Sequence, residues 1–197
     1  MEILYLGNDI LRQKAQPIKK IGSEYMQIAQ ELLRVLQNEK GVGLAGPQVG
    51  LMERIFVVHI SGDEPRVFIN PSVTETSEET LKYEEGCLSI PNLYADVIRP
   101  AAIKVQAWNE SGRSFTIEAS GLLARVILHE MDHLEGKLFI DRISEFKRSK
   151  IIEKFEKACA GKDKAELKRT LGKRSSKKRS LSKATQTESQ QSLEEES

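Results

Sequence analysis

His129-Glu130-Met131-Asp132-His133 sets two imidazoles four residues apart in a Leu-, Ile- and Val-rich stretch that reads as a helix. Side chains four apart on a helix lie one turn above each other on the same face. At that spacing two imidazoles can hold one divalent metal. Glu130 lies about 100° round the helix from His129, near enough to meet a water held by the metal without being a ligand. Two neutral nitrogen ligands with a positioned carboxylate are the parts of a metal-assisted hydrolysis of a carbonyl. An exposed helix with two chance histidines would show the same pattern. The chain, however, has only three His, and two of them fall in this motif.

A catalytic site of this kind takes three protein ligands and keeps one position open. Cys87, in Glu84-Glu85-Gly86-Cys87-Leu88-Ser89-Ile90-Pro91, is the leading third ligand. A free Cys is otherwise a small buried hydrophobe; two His lacking a partner tip the reading toward metal. Gly86 beside it lets backbone and substrate approach closely. His59 ends an apolar run with no motif around it and reads as structural. Residues 41–50 hold four glycines in ten positions, which argues for a turn rather than a helix or a packed strand. The stretch lacks the Lys-Ser/Thr ending of a phosphate loop and the glycine spacing of a dinucleotide loop. Within it, the Gln48 carboxamide is a candidate donor to a substrate oxygen.

The elements that must position these groups follow from periodicity. Residues 22–40 carry Met26, Ala29, Leu32, Leu33 and Leu36 at helical spacing and stop at Gly41. Residues 54–60 and 67–71 are β-rich runs. Residues 102–108 alternate apolar and polar. A turn at Glu110-Ser111-Gly112-Arg113 then leads to 114–117, predicting a hairpin. Residues 121–134 form the helix of the histidines, and 144–160 a second, more polar one. Helices bracketing a run of strands predict an α+β fold, with mostly antiparallel sheets packed around a central metal-binding helix and helices at both ends. On that helix Leu122, Arg125 and Val126 share the face leading to the histidines. With Ile90 and Val42 they are expected to wall a pocket for a linear apolar side chain, Arg125 giving its aliphatic stem and keeping its charge at the rim. The Gly41–Gly43 backbone could pair with an extended peptide.

The 197 residues are enough for one domain with its own core, expected over 1–160. No apolar run follows a basic start, and none approaches the length of a membrane span, so neither signal peptide nor membrane partner is expected. With Cys87 engaged, Cys159 has no disulfide partner, and a cytoplasmic, monomeric protein fits best. Residues 161–197 contain no aromatic and no Val, Ile or Met. Such a stretch cannot bury enough surface to offset ordering and is expected to be a solvated tail. Its cluster Lys173-Arg174-Ser175-Ser176-Lys177-Lys178-Arg179 could instead be an arm for RNA phosphates.

Residue types alone leave two other readings open. A zinc endopeptidase uses the same helix with a downstream His or Glu as third ligand; here only Glu135, Glu145 and Glu153 could serve. An RNA-binding protein with a structural metal would need a fourth Cys or His to close the site. The three motifs together, however, closely resemble the peptide deformylase family. They are Gly41-Val42-Gly43-Leu44-Ala45-Gly46-Pro47-Gln48, then Glu85-Gly86-Cys87-Leu88-Ser89, then His129-Glu130-Met131-Asp132-His133. The likeness covers roughly 1–150, with Gly46 and Leu128 standing where the family usually has Ala and Gln. The resemblance implies that Cys87, His129 and His133 bind the metal and Glu130 moves the proton. It also implies that the Leu88 N–H and the Gln48 amide stabilise the oxyanion as an N-formylmethionyl peptide is hydrolysed to formate and a free amine. Of the metals, it implies Fe2+ in the active form, with Zn2+, Ni2+ or Co2+ substituting. In that family the C-terminal extension can dock on the ribosome. Truncation after Gly161 is therefore expected to leave thermal stability and turnover on short formyl peptides unchanged; a collapse in melting temperature would move the domain boundary into the tail.

Overall fold

The computed structural model describes residues 1–160; the expected tail, 161–197, lies outside the described residues. Seven strands and three α-helices follow one another as α1 (Glu24–Asn38), β1 (Gly43–Ala45), β2 (Ile55–Val58), β3 (Arg66–Thr76), β4 (Thr80–Cys87), β5 (Ile90–Pro100), β6 (Ala102–Trp108), β7 (Ser114–Ser120), α2 (Gly121–Leu134) and α3 (Glu145–Cys159). β1, β2, β3, β6 and β7 form one antiparallel sheet in that order, while β4 and β5 pair with each other as a long hairpin. This is the α+β class with antiparallel pairing that the sequence predicts.

β2 shows why the sheet takes a helix on each face. Its four residues, Ile-Phe-Val-Val, are all buried, and successive side chains of a strand point to opposite faces. Ile55 and Val57 join Leu44, Val67 and Ile69 in a cluster with Ala29, Leu32 and Leu36 of α1. Phe56 and Val58 face the other way, into a cluster with Ala124, Val126, Ile127 and Leu134 of α2. Phe56 stacks on Phe68 of β3 with ring centroids 4.7 Å apart. α2 also touches β5, so it lies between the large sheet and the hairpin. A third cluster, Leu11, Ile90, Val97, Phe139, Ile151 and Phe155, joins the hairpin to α3.

The structure alters several boundaries. Residues 43–45 of the glycine-rich stretch are a buried strand at the sheet edge, not a turn, because the small side chains let α2 pack tightly across it. α1 ends before Lys40, which itself takes the left-handed conformation (φ 56°) that favours glycine. Met26 falls off the buried face of α1. β4 and β5 carry no apolar alternation to reveal them: of the first six residues of β4 only the last, Glu85, is buried.

Candidate metal centre

Cys87 ends β4, and the helix α2 presents His129 and His133 to it. One donor atom from each of the three lies within 4.8 Å of the others, the one such group among the described residues. The Cys87 sulfur is 3.2 Å from Nε2 of His133. The His129 ring uses Nδ1 on the Glu85 carboxylate at 3.0 Å, which leaves its Nε2 for a metal; a ligating imidazole is commonly fixed this way through its other nitrogen. His59 stands outside the group. Glu135 is engaged by Arg54 and Lys14, so it is not available as the third ligand of an endopeptidase.

Glu130 is 2% exposed, and its Oε2 has no hydrogen-bond partner among the described residues. Burial pushes its carboxyl up to about 7, against the opposing pull of His129 and Arg99. Burial and the neighbouring charge of His129 hold His133 well below the ordinary histidine value, as a nitrogen ligand needs. Burial disfavours charge on His129 too, yet Cys87 and Glu85 beside it raise it to about 10. Proton and metal therefore compete for its free nitrogen.

Gln48 is buried on the 3-10 turn Gly46–Val49. Its Oε1 accepts the Ala45 N–H at 2.8 Å, and its Nε2 donates toward the Cys87 sulfur at 3.4 Å and Ser89 Oγ at 3.2 Å. The carboxamide is thus pinned at one end with its donor end at the thiol. A side chain at Gly43 would have to push its neighbours aside: a Cβ there would sit 2.3 Å from Glu130 Oε1 and 2.8 Å from a Val126 methyl. At Gly86 a Cβ would run into the Tyr94 ring at 2.6 Å.

The expected pocket residues divide. Val126 is buried beside Gly43, whereas Val42 and Leu122 are exposed. Ile90 has no exposed surface and packs in the cluster that joins the hairpin to α3. The expected rim charge of Arg125 is corrected: the guanidinium is turned inward, where Glu85 and the Leu81 and Val97 carbonyls take up its donors and a buried carboxylate would otherwise lack partners.

Sequence reasoning missed Glu85, Arg99 and Asp132. Arg99 grips both oxygens of Glu85, at 2.6 and 2.8 Å, and reaches Asp132 at 2.9 Å. Asp132 also pairs with Arg142. Burial would raise the Glu85 carboxyl, but Arg99 and His129 outweigh it and hold it at about 2. Two of the three residues lay inside the recognised motifs, so their position beside Cys87 and His133 was the usable signal. Arg99 carried none.

A family model described as polypeptide deformylase matches residues 1–149. The chain is 43% identical over 164 residues to the peptide deformylase of Agrobacterium fabrum, covering 81% of this chain and 96% of that one. It is 46% identical over 159 residues to that of Acinetobacter baumannii, covering 80% and 90%. Among solved structures, the Synechococcus elongatus peptide deformylase in complex with actinonin superimposes with a TM-score of 0.74 at 40% identity, over 78% of this chain and 84% of that one. The fold and the Cys-His-His centre with its buried glutamate define a metal-dependent amide hydrolase. The chain belongs to the polypeptide deformylase family. Its reaction removes the formyl group from the N-terminal formyl-methionine of newly synthesised polypeptides and releases formate.

Gly43→Ala should lower kcat while metal content is retained, because the new methyl displaces the Glu130 carboxylate. The overpacking should also cost about 1–3 kcal/mol of stability in urea unfolding. Unchanged kcat and stability would show that the strand can yield.

Proposed function

We propose that Cys87, His129 and His133 hold one divalent metal and that Glu130 carries the proton of formyl hydrolysis. The observation that carries this reading is the convergence of the three donors within 4.8 Å beside a buried carboxylate with an unpartnered oxygen. Two imidazoles and a thiolate suit Zn2+, Fe2+, Ni2+ and Co2+ alike; Fe2+ is the proposed active metal, the others substitutes. When bound, the metal supplies positive charge at the carbonyl and a water that deprotonates near neutrality. Glu130 takes a proton from water as oxygen adds to the formyl carbon. It gives that proton to the amine nitrogen as the carbon–nitrogen bond breaks. The Leu88 N–H and Gln48 Nε2 donate to the formyl oxygen as charge develops on it; the pinned Oε1 of Gln48 supports this role.

The methionine side chain is proposed to lie against Val42, Gly43, Gly86, Leu122 and Val126. Among the described residues β1 pairs with β2 alone, so its outer edge offers an extended peptide the hydrogen bonds of an added strand. A monomer is the proposed state. No helix among the described residues is long and apolar enough to cross a membrane; action in the cytoplasm, where chains are made, is part of the proposal. The basic cluster 173–179 is proposed as an arm for ribosomal RNA, on the strength of its charge pattern.

Cys87→Ala, His129→Ala and His133→Ala, purified without oxygen, should each lose most bound metal together with formate release. Full metal occupancy in any one of them removes that residue from the ligand set. Glu130→Gln should keep the metal and lose at least ~10² in kcat; near-normal turnover would assign the proton transfer to another group.

A further inference from the structure

Arg125 sits one helical turn before His129, and both side chains reach the same carboxylate. Arg125 Nη1 donates to Glu85 Oε1 at 2.7 Å, and His129 Nδ1 meets Glu85 Oε2 at 3.0 Å. Glu85 lies two residues before Cys87 on β4, with a break in the strand pairing between Gly86 and Cys87. The same guanidinium donates to the Leu81 carbonyl at 2.7 Å and the Val97 carbonyl at 3.0 Å, one on each strand of the hairpin. Tyr83, two residues before Glu85, lies over it with 5.7 Å from guanidinium carbon to ring centroid. A buried arginine that spends its donors on two strands and one carboxylate is spanning an interface.

We propose that Arg125 is a positioning residue that clamps the β4–β5 hairpin onto α2 and thereby fixes Cys87 relative to His129. The inference rests on the reading of those two side chains as metal ligands. Arg99 already bonds both oxygens of Glu85, and what Arg125 adds beyond its own bond to that carboxylate is contact with both strands of the hairpin. Arg125 adds registration: it bonds the strand that carries Cys87 and the carboxylate that orients His129, all from the helix that carries His129.

The test is Zn2+ affinity, measured by competition with a chelating indicator, in Arg125→Met, Glu85→Gln and the double variant. Arg125→Met keeps the aliphatic stem and removes the donors. It should weaken Zn2+ binding about 10–100-fold, the range for lost outer partners of a ligand, with KM for a formyl-methionyl peptide unchanged in metal-saturated enzyme. Glu85→Gln should weaken it similarly, and the double variant should fall no further than the weaker single one. Arg125→Lys, which keeps the charge and one donor, should recover part of the loss. If Arg125→Met does not fold, Arg125→Lys alone and combined with Glu85→Gln gives the same cycle. Unchanged Zn2+ affinity, additive losses, or a rise in KM alone would overturn the proposal, the last by making Arg125 a wall of the substrate pocket. Retention of Zn2+ by His129→Ala would overturn the ligand reading instead.

Discussion

One buried carboxylate organises the centre. Glu85 is 5% exposed and takes hydrogen bonds from Arg99, Arg125 and His129. Burying a lone carboxylate is prohibitively costly; burying it among cations with every lone pair used turns the cost into geometric constraint. Glu85 draws on β5 through Arg99 and on α2 through Arg125 and His129. Arg99 extends the network to Asp132, and Arg142 closes it beyond. The two acids and three arginines thus form one chain of ion pairs that runs from the hairpin through α2.

This network explains why the hairpin can be so polar on its outer side and still be fixed. A two-stranded hairpin is marginal by itself. Here it is held from beneath by Ile90 and Val97, which pack with Leu11 and Phe139, and from the α2 side by the ionic contacts. The large sheet meets α2 through Phe56, Val58 and Phe68. The helix is therefore held by apolar packing on one side and by charge on the other, and the proposed metal donors sit at the seam.

What could be read from the sequence follows the same division. α2 was legible to the residue, because its apolar face and its motif agree. β2 and β6 were legible because Ile55-Phe56-Val57-Val58 and the alternation over 102–108 mark buried and half-buried strands. β4 and β5 were not, because the groups they bury at the site are Glu85 and Arg99, which hydrophobic periodicity cannot register. Arg125 misled for a related reason: an arginine beside apolar helix residues reads as a snorkelling stem, and only its tertiary partner reveals the inward charge. The grouping of Cys87, His129 and His133 was legible from residue type and spacing, whereas Glu85, which bonds His129, emerges only when strand and helix are brought together.

The most direct test of this account is the X-ray absorption fine structure of the metal in the anaerobically purified, metal-loaded full-length protein. With Zn2+ as the probe, the account predicts one sulfur scatterer at about 2.3 Å and two imidazole nitrogens at about 2.0–2.1 Å. Glu85→Gln should broaden the nitrogen shell without removing the sulfur. A first shell without sulfur, or one with a third imidazole, would contradict the Cys87, His129 and His133 centre on which the account stands.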